Sequence, residues 1–102
     1  MSISKKYFKS KPTCKVTFTI DEAAQNSARG ASLVGEFNDW SVVATPMRRL
    51  KKGGFKADLE LEKDKSYQFR YLLDGTHWEN DPTADDLVST PFAGSYNSVV
   101  VL

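Results

Sequence analysis

The feature that most constrains this chain is a period-two alternation that recurs along it. Cys14, Val16, Phe18 and Ile20 alternate with Lys15, Thr17 and Thr19, the pattern of a strand with one buried and one wet face. Phe55, Ala57, Leu59 and Leu61 repeat it against Lys56, Asp58 and Glu60. From Lys65 to Leu73, Tyr67, Phe69, Tyr71 and Leu73 point one way, and Gln68, Arg70 and Leu72 the other. No long segment shows the three-and-four spacing of an amphipathic helix.

Turn chemistry separates these runs. Asp21 to Gly30 is polar and Ala-rich, a loop with room for a single helical turn before a strand at Ala31 to Glu36. Asn38-Asp39-Trp40-Ser41 is a polar turn, and Thr45 to Leu50 is a weaker strand that Pro46 assigns to a sheet edge. Gly53-Gly54 and Asp74-Gly75 read as hairpin turns, because Gly and Asp tolerate the positive φ such turns need. Asn80 to Gly94 reads as a loop, and Val99 to Leu102 as the closing strand. About seven short strands predict an all-β fold, an antiparallel β-sandwich of immunoglobulin-like type over residues 13–102. Met1 to Pro12, with Lys5, Lys6, Lys9 and Lys11 and no acid, reads as a basic, solvated N-terminal arm.

Composition then removes whole classes of function. At 102 residues the chain can bury a core without disulfides or metal, but it is far short of the roughly 200 residues of an eight-stranded α/β barrel enzyme. A net charge of +1 speaks against nucleic acid as a partner. No stretch approaches the roughly 18 apolar residues of a membrane span, and Met1 to Pro12, lysine-rich without an apolar stretch, is not expected to be a signal peptide. The single Cys14 allows no intramolecular disulfide and, lying on an apolar face, reads as an inert core thiol. The expectation is a cytoplasmic monomer.

Catalysis finds little support. One His and one Cys do not make a zinc site, and His77 has no nucleophile-elbow motif to serve. Asp74, Glu79, Asp81, Asp85 and Asp86 lie close in sequence, and a glycosidase needs two carboxylates about 5 to 9 Å apart. These acids sit in turn-rich sequence, where Asp serves the backbone. No enzyme activity, metal or cofactor is expected.

The tryptophans stand apart from the core aromatics. Trp40 lies in a polar turn directly after a strand, and Trp78 in His77-Trp78-Glu79-Asn80-Asp81-Pro82, just past a hairpin. Each is either a lid over the end of the sandwich or a stacking platform. Pyranose rings present C–H faces to flat indole, while their hydroxyls need amide or cationic donors, which Arg70 and Asn97 supply.

Leu33-Val34-Gly35-Glu36-Phe37-Asn38-Asp39-Trp40, Ala44-Thr45-Pro46-Met47, Tyr67-Gln68-Phe69-Arg70-Tyr71-Leu72-Leu73-Asp74-Gly75, Trp78-Glu79-Asn80-Asp81-Pro82 and Asn97-Ser98-Val99-Val100 occur in this order. Together they resemble carbohydrate-binding module family 48, the isoamylase N-terminal domain, which includes the glycogen-binding domain of the AMP-activated protein kinase β subunit. The resemblance runs from Cys14 to Leu102 and implies an early-set immunoglobulin-like sandwich that binds α-1,4-linked glucans such as glycogen or starch. By the same resemblance, Trp40 and Trp78 would stack on glucose, Arg70 would take the place of a family Lys, and Asn97 and Ser95 would meet sugar hydroxyls. Two positions depart from the pattern. Ala93 stands where the kinase-type domains have Leu, leaving Phe92 or Tyr96 to replace it, and the hairpin before Trp78 is one residue longer. Read as a free-standing module, the chain is expected to act in trans: on glucan or, alternatively, as a protein-interaction module on a separate glycogen-metabolising enzyme or kinase.

Overall fold

The alternating runs pair into two antiparallel sheets whose apolar faces meet, as seen in a computed structural model that describes residues 1–21, 28–91 and 95–102. One sheet has the order β1-β2-β5-β4, formed by β1 (Ser2–Tyr7), β2 (Thr13–Ile20), β5 (Phe55–Glu62) and β4 (Arg48–Arg49). The other has the order β3-β6-β9-β8, formed by β3 (Ala31–Gly35), β6 (Ser66–Leu73), β9 (Tyr96–Val101) and β8 (Asp86–Ser89). A further short strand, β7 (His77–Glu79), pairs with the end of β6. This is an all-β, immunoglobulin-like sandwich. Most of the segment read as a loop or helical turn between β2 and β3, residues 22–27, lies outside the described residues. Among the described residues no helix is long and apolar enough to cross a membrane.

The described strands number nine rather than about seven, and each difference has a physical cause. Ser2–Tyr7, expected as a solvated arm, is instead an edge strand in register with Cys14–Thr19 of β2. Its Ile3 and the preceding Met1 pack against the core, and Lys5 reaches Asp85 at 2.7 Å. An apolar residue every second or fourth position is enough for an edge strand, because a lysine's stem packs while its ammonium finds water or an acid. The loop read at Asn80 to Gly94 contains β8, a four-residue edge strand too short and polar to show a pattern. The closing strand begins at Tyr96 rather than Val99, since backbone pairing does not require apolar side chains.

The inward faces match the alternation residue for residue. Cys14, Val16, Phe18 and Ile20 of β2 are wholly buried, as are Phe69 and Tyr71 of β6. Phe18 meets Phe69 edge-on with ring centroids 5.1 Å apart, and Phe69 meets Tyr71 at 5.6 Å, the geometry that sets a ring's positive edge against a negative face. Pro46 lies where a missing N–H does no harm. The segment around it pairs with β3, Leu33 N–H donating to Thr45 O and Met47 N–H to Ala31 O. It then crosses to the first sheet as β4, opposite Lys56 and Phe55 of β5.

The acids that resembled a catalytic cluster are committed to the fold. Asp81 is 3% exposed and accepts from the Tyr71 hydroxyl at 2.6 Å and from the Thr83 amide and hydroxyl at 2.8 and 2.6 Å. Its own N–H donates to Ser98 Oγ, whose hydroxyl donates to Asn80 Oδ1. Asp85 accepts from Lys5 and from the Val101 amide, clamping the two sheets at one side. Burial draws the Asp85 pKa upward, but those hydrogen bonds and the Lys5 charge outweigh it and leave the carboxyl below its ordinary value.

Burial, then the Asp81 charge and hydrogen bond, hold the Tyr71 phenol far above its ordinary range. Because the folded value lies above the unfolded one, the associated stability is intact below about pH 10 and is lost as pH rises beyond it. Tyr71→Phe is expected to destabilise the protein at neutral pH by about 2 kcal/mol and to flatten the decline above about pH 10. Denaturant unfolding across pH measures both.

Candidate functional site

The wet face of the β3-β6-β9-β8 sheet carries the polar and aromatic residues that the core does not use. Val34 stands opposite Arg70 in the β3–β6 register, and Phe69 opposite Ser98 between β6 and β9, which brings Arg70 beside Asn97. Arg70 Nε donates to Asn97 Oδ1 at 2.5 Å, and its Nη2 donates to Ser95 Oγ at 2.5 Å. Asn97 in turn donates from Nδ2 to Gln68 Oε1 at 3.0 Å. The Arg70 guanidinium lies 5.9 Å from the centre of the Trp78 ring, within range of cation–π attraction. Trp78 reaches this face because β7 pairs with β6, setting it opposite Leu72 across a three-residue Asp74-Gly75-Thr76 turn. Asp74 Oδ1 anchors that turn by accepting from the amides of Arg29 and Gly30.

Trp40 is positioned by a tight turn after β3, a 3-10 turn at Glu36–Asn38. Gly35 is dictated by space, since a Cβ there would lie 2.6 Å from Gln68 O and 2.8 Å from the Phe69 Cβ. The Asn38 side chain accepts from Gly35 N–H at 3.1 Å and donates to Leu33 O and Thr45 Oγ1, both at 2.9 Å. Asp39 and Trp40 then adopt φ of 54° and 59°, a left-handed conformation that a bulky residue keeps only when its surroundings impose it. The imposing bonds are Trp40 N–H to Gly35 O at 2.9 Å and Ser41 N–H to Asn38 O at 3.1 Å.

Trp40, Arg70, Trp78, Ser95 and Asn97, the five residues expected from the sequence, line one open groove of about 660 Å³. At 39% and 44% exposure, Trp40 and Trp78 are half-open walls rather than lids sealed over the sandwich. Glu36, Gln68, Val42, Thr90 and Pro91 also line the groove and were not singled out. Gln68 shares the wet parity of Arg70, a signal present in the alternation itself, whereas nothing local marks Thr90 and Pro91. Tyr96 is exposed but does not line this groove, and Phe92 and Ala93 lie outside the described residues. His77 is exposed, with Nε2 2.6 Å from Glu79 Oε1. Among the described residues no group of three or more His, Cys, Asp and Glu side chains is placed to hold a metal ion.

A family model described as carbohydrate-binding module 48 (isoamylase N-terminal domain) matches residues 22–93. The match spans the Trp40 turn, Arg70 and Trp78. No curated protein matches the chain.

Gly35→Ala forces a methyl group into the backbone of β6, where neither Gln68 O nor Phe69 Cβ can move without disturbing the sheet. The expected loss is about 2–3 kcal/mol, a fall in Tm of roughly 10 °C or more, measurable by thermal unfolding.

Proposed function

The chain belongs to carbohydrate-binding module family 48, and from that premise we propose that it binds α-1,4-linked glucan, glycogen or starch-like, without catalysis. The observation that carries this reading is the placing of two half-open indoles in one groove with an arginine hydrogen-bonded to neutral oxygens. An indole face suits the C–H face of a glucose ring. The remaining N–H groups of Arg70, which has five in all, and the second Nδ2 hydrogen of Asn97 are donors for hydroxyl and glycosidic oxygens.

Magnitudes fit a reversible binder. Covering half of two indoles removes on the order of 200 Å² of apolar surface, about 5 kcal/mol gross. Association costs of at least about 4 kcal/mol offset most of that, so a few hydrogen bonds leave a Kd in the micromolar to millimolar range. A polymer with many repeating units raises retention through effective concentration. Asp81 and Asp85, two of the clustered acids, are held by Tyr71, Thr83 and Lys5, which favours a binding role over a hydrolytic one.

Glycogen or soluble starch in a native gel is expected to retard the protein, and Trp78→Ala to abolish the retardation. Unchanged mobility of the native protein over a wide glycogen range rejects the reading, and co-purification with an enzyme in its place would favour protein docking. Release of reducing sugar from glycogen by the pure protein would refute the non-catalytic part.

A further inference from the structure

Resting on the glucan reading, we infer that Gln68 is the positioning residue that joins the two halves of the groove and turns its polar lining toward the ligand as donors. Gln68 sits where β3 has left the ladder: the last β3–β6 pair is Gly35 with Phe69, and the chain then enters the turn that carries Trp40. The Gln68 N–H donates to Glu36 Oε1 at 2.6 Å, and Glu36 belongs to that turn. The Gln68 side chain runs the other way, its Oε1 accepting from Asn97 Nδ2 at 3.0 Å. One continuous chain of hydrogen bonds therefore links Glu36, Gln68, Asn97, Arg70 and Ser95.

The direction of each bond in that chain is fixed by the next. An Asn amide has one accepting end and one donating end. With one Nδ2 hydrogen given to Gln68, Oδ1 faces Arg70 Nε, which only donates. If Asn97 turned over, an N–H would face an N–H and the guanidinium would lose its anchor. Ser95 Oγ accepts from Arg70 Nη2, so the Ser95 hydrogen is turned away from the guanidinium. The Gln68 oxygen is engaged, so its Nε2 hydrogens are the free end of that amide. The lining thus presents N–H and O–H donors, while Glu36, the one carboxylate among the described residues that line the groove, has an oxygen held by the Gln68 backbone. A ligand rich in ether and hydroxyl oxygens is matched to such a surface. Gln68 needs no contact with the sugar to act, because it sets the amide that sets Arg70 above Trp78.

The test compares Gln68→Met, which keeps the length but removes the acceptor, with Gln68→Glu, which keeps it. Neither touches the Gln68 N–H that Glu36 receives, and thermal unfolding checks that both variants fold. Two readouts are taken: glycogen retardation, and the Arg70 Nε–H resonance in a ¹H–¹⁵N spectrum of the unliganded protein. Gln68→Met is expected to weaken glycogen binding about five- to tenfold, roughly one hydrogen bond's worth, and to broaden or lose the Nε–H signal through exchange with water. Gln68→Glu, which keeps the acceptor but loses the Nε2 donors, is expected to keep the signal and to bind glycogen more tightly than Gln68→Met. A Gln68→Met protein that keeps either the signal or the native affinity overturns the inference, as does a Gln68→Glu protein that behaves like Gln68→Met. If the native protein is not retarded by glycogen, the glucan reading fails by itself, and the resonance comparison still decides the role of Gln68.

Discussion

Strand β6 has no idle face, and the molecule depends on its register. Phe69 and Tyr71 point inward into the aromatic core, while Gln68 and Arg70 line the groove on the opposite face. A slip of one residue would exchange the two sets, sending a guanidinium into the core and a phenylalanine to the surface. Neither exchange is tolerable, so the force that folds the sandwich is also the force that aims Arg70. Neighbouring strands reinforce it. Gly35 lets β3 approach β6 at a distance no other residue permits, and Tyr71 is locked from its far end by Asp81.

The groove is assembled from parts of unequal local cost. The Trp40 turn holds two successive non-glycine residues at positive φ, a strain of order 1–3 kcal/mol each that the Asn38 side chain and the turn's own amides offset. Arg70 is charged and half-buried among neutral oxygens and an indole face. Structures keep such costs where a surface must be ready before a ligand arrives, so that less ordering remains to be done on binding.

Much of this was legible in the sequence. Alternation alone assigned the inner faces of β2, β5 and β6, and the Pro46 and Gly-Gly signals placed an edge and a hairpin where the structure has them. The expected site residues lay on wet-parity or turn positions, where a Trp is either a lid or a platform and its exposure decides which. What the sequence hid was of another kind. β1 and β8 are edge strands with charged side chains, which local patterning cannot tell from an arm or a loop. The commitment of Asp81 to Tyr71 depends on a contact ten residues apart, and the link from Glu36 to Gln68 spans 32 residues. Contacts of that reach exist only once the sheet does.

The two walls of the groove are not equally stiff. Trp40 sits on a turn wedged against the middle of β6 and bonded on several sides. Trp78 sits on β7, a strand joined to a single neighbour over three residue pairs. Short, singly paired elements open at lower free energy than the sheet they flank. The groove is thus a vice with one fixed jaw and one sprung jaw. If the groove takes the glucan proposed for it, the sprung side would follow variation in the ligand while the fixed side keeps its register.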